Sequence, residues 1–177
     1  IVPFEALEPR WKVLAVDGIS PLAQDFDPAA YPLKVNFSLQ ENPAAGNVSG
    51  EGLSPEAMLL GWQPTNRDAE KMTSVMMTGV TALVRATAET MRRKGITYPA
   101  QDIRDWLRSA DFTHVSNEIP FAEDCPYPDP YQEEIRFCSN PAYIELLEFV
   151  GADVVELTGN HFADYGAKAK LETLEIY

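Results

Sequence analysis

The sequence is poor in basic residues, with 14 lysines and arginines against 27 aspartates and glutamates and a formal net charge of −13. Such a charge gives no electrostatic driving force for binding nucleic acid or an anionic membrane. The sequence also has no run of 18 or more apolar residues and no basic segment before an apolar one. It therefore predicts neither a transmembrane segment nor a targeting signal. The hydrophobic fraction of 45% excludes a disordered acidic tail and predicts a folded core.

Cysteine is also scarce. Cys125 and Cys138 are the two cysteines, and the loop between them is rich in proline and charge. A disulfide here would stabilise the fold by about 2–4 kcal/mol and imply an oxidising compartment; the alternative is a pair of unrelated reduced thiols. Metal binding by the pair is disfavoured because no CxxC motif or nearby histidine completes a zinc set. We favour the disulfide because Pro126, Pro128 and Pro130 make the loop stiff and poor in core residues.

The composition changes near residue 70. Before it, two short runs at 11–16 and 33–39 have strand character, and the segments around them are rich in turn residues. We interpret residues 1–40 as the end of a preceding β-containing segment and residues 41–70 as a linker or exposed loop. Because the chain does not begin with methionine and stops within a helix-like stretch, we expect it to be a piece of a longer protein.

From residue 71 to residue 177, strand and helix signals alternate, which is typical of an α/β layer architecture. The predicted strands are residues 73–79, 112–116 and 153–157, the last of them buried. The predicted helices are residues 81–93, 100–110 and a segment capped by Ser139-Asn140-Pro141 and stopped by Gly151. Apolar residues at helical spacing predict a buried stripe on the second helix. Its members are Ile103, Trp106, Leu107 and Ala110.

Polar residues follow each predicted strand at its carboxyl end. They are Thr78-Gly79, Asn117-Glu118 and Asn160-His161. Ligands in open α/β sheets bind at this edge, so the three segments are predicted to converge on one site. An asparagine carbonyl oxygen suits a divalent cation, and an adjacent histidine can ligate metal or protonate a leaving oxygen.

Several of these residues also have a purely structural interpretation. Asn160 could cap the helix that begins near residue 165 or form an Asx-turn, with His161 half-buried beside it. Glu118 could be a solvated residue in the turn before Pro120. These alternatives stay open on the sequence alone.

Two other polar features are better explained by structure than by chemistry. His114 lies inside a predicted strand and reads as a core or edge histidine rather than a ligand. The basic residues Arg92, Arg93 and Lys94 precede a glycine, and are best explained as favourable charge at the end of a helix.

The most specific pattern is GADVVELTGNHFADYG at residues 151–166, in which a strand is followed by Asn-His and then by Asp-x-Gly. With TGVTALVR after the first strand and SNE after the second, it resembles the CapA family of poly-gamma-glutamate capsule synthesis proteins. That family shares the fold of calcineurin-like metallophosphoesterases. The resemblance covers about residues 72–177 and implies the first half of such a layered sheet with flanking helices.

The resemblance also implies roles for individual residues. Asn117 and Asn160 would be metal ligands, and Asn117-Glu118 matches the family's Asn-Leu-Glu-type element except that the leucine is absent. Glu118 would contact substrate. His161 and Asp164 would be the catalytic residues, His161 as an acid or transition-state stabiliser and Asp164 by orienting the loop.

Two departures from the family pattern bear on activity. Val80 stands where the first motif has a metal-ligating aspartate, and a valine cannot coordinate a cation. The late Gly-His-x-His element has no counterpart. We therefore predict that these residues alone cannot assemble a two-metal clamp and bind no metal tightly, whereas a longer parent could hold one Mn, Mg or Zn ion at a degenerate site.

Three functional hypotheses follow. The first is an exported, CapA-like protein associated with capsule, poly-gamma-glutamate or other cell-envelope polymer synthesis. The second is a non-catalytic structural or binding component of the cell surface or of a larger assembly. The third is an active phosphoesterase whose missing ligands come from a later segment or a partner chain. The expected partners are the rest of the parent chain or a complementary chain and an anionic polymer, and the expected location is extracytoplasmic.

Overall fold

A computed structural model describes residues 2–38 and 65–177 of the chain, which divides into two units, Ile1–Met72 and Thr73–Tyr177. Most of the predicted linker at residues 41–70 lies outside the described residues. The described part of the first unit contains two short 3-10 helices, Phe4–Ala6 and Ala69–Lys71. Among the described residues, regular structure is therefore concentrated in the second unit.

The strands predicted at 11–16 and 33–39 are wrong where the structure describes them. The first run ends in an isolated antiparallel bridge, in which Val16 and Ile19 exchange two backbone hydrogen bonds of 2.9 Å. In the second run the apolar side chains are exposed; they are Leu33, Val35 and Phe37. An alternating apolar run becomes a strand only when a neighbouring strand pairs with its backbone, and the described residues of this unit provide none.

The second unit is an α/β layer. Its strands are β1 (Val75–Thr81), β2 (Phe112–Asn117) and β3 (Val154–Glu156). Its helices are α1 (Arg85–Lys94), α2 (Arg104–Leu107), α3 (Ile144–Val150) and α4 (Gly166–Ile176), with 3-10 turns at Tyr98–Ala100 and Pro141–Tyr143. The strands form a parallel sheet in the order β1-β2-β3. This confirms the α/β class, with a small parallel sheet and flanking helices.

The two faces of the sheet differ in burial. One face packs through Met76 against a core contributed largely by the helices, whose buried members include Ala88, Met91, Leu107, Tyr143, Leu146 and Val150. The other face is exposed and apolar. Its members include Val75, Met77, Phe112 and Val154. The prediction that residues 153–157 form a buried strand is therefore wrong in its burial, because β3 lies at an edge and its first side chain is exposed.

The first strand runs further than the sequence indicates. Gly79 was expected to end it, but β1 continues to Thr81 through a register irregularity between Met77 and Val80. The following helix consequently begins at Arg85 instead of near residue 81.

The second helix is much shorter than predicted. Of the stripe expected over residues 100–110, Leu107 is buried, whereas Ile103 and Trp106 are exposed. The hydroxyl of Thr113 donates to the carbonyl oxygen of Leu107 at 2.7 Å and so satisfies an acceptor at the end of α2. Helical spacing of apolar residues therefore does not ensure a long, buried helix.

The later helices follow their predicted signals more closely. Asn140 accepts a hydrogen bond from the Ala142 amide at 2.9 Å, and Gly151 adopts φ 73° after α3, as the cap and stop signals predict. α4 has Tyr165 at its N-cap, so the alternative role of Asn160 as its cap is wrong. No helix in the described part of the chain is long and apolar enough to cross a membrane.

Candidate functional site

The carboxyl ends of β1 and β2 lie side by side. Thr81, the last residue of β1, pairs with Asn117, the last residue of β2. The neighbouring strand β3 runs parallel and ends at Glu156. A hydrogen bond from the Thr158 hydroxyl, at 2.6 Å, lowers the pKa of the Glu156 carboxyl, with smaller contributions in the same direction from Ser116 and His114. Polar groups at the ends of separate strands thus meet at one sheet edge. On β1 the residue there is Thr81, whereas the predicted Thr78-Gly79 lies within the strand.

Asn117 is fully engaged inside the protein. Its side-chain amide donates to the carbonyl oxygen of Ile119 at 3.1 Å and to the hydroxyl of Tyr177 at 2.9 Å. Its side-chain oxygen accepts from the Ile119 amide at 3.3 Å. The residue is 1% exposed. These bonds give Asn117 a structural role, and metal ligation by it stays a prediction.

Glu118 brings the end of β2 against the turn that carries the Asn-His pair. A Cβ atom at position 159 would lie 2.5 Å from the Glu118 Cβ and 2.8 Å from its Oε2. Gly159 also has φ 120°, a conformation that side chains disfavour. Glycine is therefore required where the two segments approach, and Glu118 is half-buried rather than solvated.

His161 and Asp164 form a pair in the turn before α4. The Nδ1 atom of His161 lies 2.7 Å from Oδ2 of Asp164, and the two side chains are 14% and 16% exposed. With Nδ1 donating to the carboxylate, the neutral ring carries its lone pair on Nε2, the form suited to accepting a proton. Nε2 has no hydrogen-bond partner among the residues that the structure describes. The pair therefore has the geometry of an oriented acid–base group.

Asp164 also ties this turn to the segment before Cys138. Its Oδ2 accepts from the Phe137 amide at 2.8 Å, and its carbonyl oxygen accepts from Nε of Arg136 at 2.9 Å. The Phe137 ring packs edge-on against the His161 ring, with centroids 4.8 Å apart. These contacts support the loop-orienting role predicted for Asp164.

The predicted disulfide between Cys125 and Cys138 is present, with the two Cα atoms 5.7 Å apart. It closes the loop whose last residues, Arg136 and Phe137, contact the His161–Asp164 turn. The covalent link thus fixes one wall of the candidate site.

Two arginines near the pair were missed by sequence reasoning. The guanidinium of Arg85 lies over the Phe137 ring at 4.8 Å, and that of Arg136 lies over the Tyr165 ring at 4.4 Å. Arg85 lies within the predicted helix at residues 81–93 and ends the TGVTALVR element, and no role was assigned to it. The nearest signal in the sequence was the position of Arg136-Phe137 at the end of the cysteine loop.

The described residues contain no cluster of the side chains that most often bind metal ions. Within residues 2–38 and 65–177, no three histidine, cysteine, aspartate or glutamate side chains are placed to hold a metal ion. Asn117 fits a cation poorly, because its side-chain oxygen, the atom that would ligate, already accepts from the Ile119 amide. Asn160 is exposed, and Val80 offers no donor atom where the family pattern has an aspartate. A metal in a longer parent, and the roles of Asn117, Glu118 and Asn160, remain predictions.

Comparison with known proteins identifies the family. The family model described as bacterial capsule synthesis protein PGA_cap matches residues 74–177, more than half of the chain. The chain belongs to this family. The predicted resemblance to CapA is thereby confirmed, and the matched part holds the sheet, the cysteine loop and the His161–Asp164 pair.

A curated relative supports the same assignment. Over 113 residues the chain is 26% identical to the capsule biosynthesis protein CapA of Bacillus anthracis, a match that covers 63% of this chain and 27% of CapA. The chain thus spans about a quarter of the length of that capsule synthesis protein.

Proposed function

We propose that the protein works outside the cytoplasm in the synthesis or handling of a bacterial capsule or other envelope polymer. The observation that carries the proposal is the family match over residues 74–177, which includes the His161–Asp164 pair. The relative from Bacillus anthracis is named as a capsule biosynthesis protein. The polymer proposed as partner is anionic, as poly-gamma-glutamate would be.

An extracytoplasmic location is supported by the cysteine loop. Disulfides persist in oxidising compartments and are rare in the cytosol. Cys125 and Cys138 are the two cysteines of the chain, and they are paired. Fractionation of cells, followed by thiol labelling without reductant, tests this directly: labelled cysteines in the native protein, or a cytosolic protein, would contradict the export proposal.

The complete domain is proposed to have a metallophosphoesterase-like layered fold, of which this chain supplies the first half. Support comes from the parallel sheet with helices packed on one face and an apolar, exposed surface on the other. Parallel sheets are normally covered on both faces, so the exposed surface is consistent with a further layer in the complete domain.

Within this site, we assign proton transfer to His161. Asp164 fixes the orientation of the ring through Nδ1, which leaves Nε2 able to protonate a leaving oxygen or to accept a proton from water. This role does not depend on a metal. Because the described residues contain no cluster of three histidine, cysteine or carboxylate side chains that could hold a metal, metal-assisted chemistry would need further ligands from another segment of a longer protein or from a partner chain.

Activity assays on the full-length protein test the catalytic version. Phosphatase and gamma-glutamyl hydrolase activities should fall by about a hundredfold or more in His161→Ala. His114→Ala, at the chain's other histidine, is the matched control and should retain activity if it folds. Equal activity in His161→Ala and the unmodified protein would remove His161 from the chemistry.

A second candidate is a non-catalytic binding component of the envelope. The replacement of the first-motif aspartate by Val80 and the engaged amide of Asn117 favour it. The two candidates separate in a strain that lacks the gene. Capsule restored by the His161→Ala protein as well as by the unmodified protein would support the binding component, and capsule restored only by the unmodified protein would support catalysis.

A further inference from the structure

The second unit contains a cavity of about 590 Å³ between α1 and the disulfide loop. Three arginines line it, Arg85, Arg92 and Arg136, and its described lining includes no aspartate or glutamate. The chain as a whole carries 27 acidic residues and a net charge of −13. The charged residues that line this cavity are thus all positive, although the chain as a whole is strongly acidic. We call this cavity the arginine cavity.

Two of the three guanidiniums have no ionic partner. Arg92 pairs with Glu89 through two contacts of 2.8 and 2.9 Å, which satisfies its charge. Arg85 and Arg136 form no ion pair with any residue that the structure describes. The Nε atom of Arg85 is also buried without a hydrogen-bond acceptor. An unpaired buried donor on a charged group is costly unless a ligand satisfies it.

Aromatic rings hold both unpaired guanidiniums in place. Arg85 lies over Phe137 and Arg136 over Tyr165, at 4.8 and 4.4 Å from the ring centroids. The Nε of Arg136 donates to the Asp164 carbonyl oxygen, which leaves its terminal nitrogens free of acceptors among the described residues. Stacking restricts the side chains before a ligand arrives, so less conformational entropy is lost on binding.

The remaining wall selects the kind of anion. Apolar side chains of Leu83, Met91 and Ile96 line the cavity beside the arginines, together with the disulfide. The methylene groups of a ligand would pack favourably on this apolar surface. The cavity is also larger than a small inorganic anion. A planar carboxylate is complementary to the guanidinium fork and carries one charge, which limits its repulsion by the acidic chain.

We propose that the arginine cavity binds a carboxylate group carried on an aliphatic stem, with Arg85 and Arg136 as its ligands. The proposal rests on the cavity and does not require His161 to be catalytic. It places a binding point for an acidic chain beside the turn that holds the His161–Asp164 pair, because Phe137 contacts both Arg85 and His161.

The test is calorimetric titration of the full-length protein with tetraglutamate at low salt. Arg85→Gln and Arg136→Gln should each weaken binding by about tenfold or more, since each removes a charge-assisted contact. Arg93→Gln is the matched control, because Arg93 is an exposed arginine of the same helix outside the cavity, and it should bind like the unmodified protein. Circular dichroism checks folding, and exposed Arg136 keeps the test valid if Arg85→Gln fails to fold.

Two further titrations define the ligand class. Tetraglutamine with an amidated C-terminus, which keeps the aliphatic stems and has no carboxylate, should not bind measurably, and inorganic phosphate should bind more weakly than tetraglutamate. The proposal is overturned if tetraglutamine or phosphate binds as tightly as tetraglutamate, if tetraglutamate does not bind, or if both cavity variants match Arg93→Gln. If the unmodified protein restores capsule but does not bind tetraglutamate, this inference alone is overturned and the proposed function stands.

Discussion

Asn117 ends one parallel strand of the sheet and His161 follows another, but their side chains are engaged in opposite ways. Asn117 is buried and uses both its amide and its oxygen to hold Ile119 and Tyr177. His161 is half-buried and commits only Nδ1, to Asp164. Spare hydrogen-bonding capacity, rather than position at a strand end, therefore separates a residue available for chemistry from one that stabilises the fold.

The largest effect expected from this difference is on stability at Asn117. Asn117→Ala should lower the free energy of unfolding by about 4 kcal/mol, because it leaves the buried amide and carbonyl of Ile119 without partners. Asn140→Ala is a matched control. Asn140 also accepts from an amide two residues ahead, but it is exposed and should cost only about 1 kcal/mol.

Urea denaturation of the full-length protein measures both changes. If both variants lower the free energy of unfolding equally, burial does not increase the contribution of the Asn117 hydrogen bonds to stability. If the Asn117→Ala protein folds well but has lost a bound metal, Asn117 serves metal binding and not the stability of the fold.

The cysteine loop gives the next largest effect. Cys125→Ser with Cys138→Ser should lower the free energy of unfolding by about 3 kcal/mol, because the open loop gains entropy in the unfolded chain. It should also loosen Arg136 and Phe137, and so weaken tetraglutamate binding. Titration of the double variant under conditions where it is fully folded separates the two effects; unchanged binding would show that the loop is held by Asp164 alone.

Much of the second unit could be predicted because local signals and tertiary structure agree there. Asn140 caps the 3-10 turn that leads into α3, and Gly151 ends α3, as the capping rules require. The polar ends of β1 and β2 meet as parallel strands must. The stripe of Ile103 and Trp106 misled because apolar spacing predicts which face is apolar, but not whether another element covers it. The runs at 11–16 and 33–39 misled for the same reason.

The candidate site was predicted only in part. The sequence placed His161 and Asp164 in one turn, and their hydrogen bond follows from that spacing. The other wall depends on contacts between distant segments, as where Arg85 stacks on Phe137 across 52 positions of chain. A lone arginine after a strand carries no local signal of such a contact.

Within the His161–Asp164 pair, replacing Asp164 should lower the free energy of unfolding more than replacing His161. Asp164→Ala should lower the free energy of unfolding by about 2 kcal/mol, because the amide of buried Phe137 loses its acceptor. Asp164→Asn keeps an acceptor for that amide and should recover most of the loss. Thermal melts compare them; equal destabilisation by Ala and Asn would mean that the charge near His161, and not the Phe137 bond, is what Asp164 contributes.

The smallest effect concerns the partner of Asn117 at alkaline pH. Burial raises the pKa of Tyr177 to about 12, against a smaller opposing effect of the Asn117 hydrogen bond. The folded state therefore favours the neutral phenol. Its contribution to stability is complete below the ordinary tyrosine value of 10.0 and is lost as the pH rises towards 12. Because Tyr177 is 44% exposed, solvent screening limits the change to about 1 kcal/mol.

Urea denaturation at pH 8 and pH 11 should show a smaller pH dependence in Tyr177→Phe than in the unmodified protein. An equal dependence in both would mean that Asn117 holds a hydroxyl that ionises as readily in the folded state as in the unfolded chain.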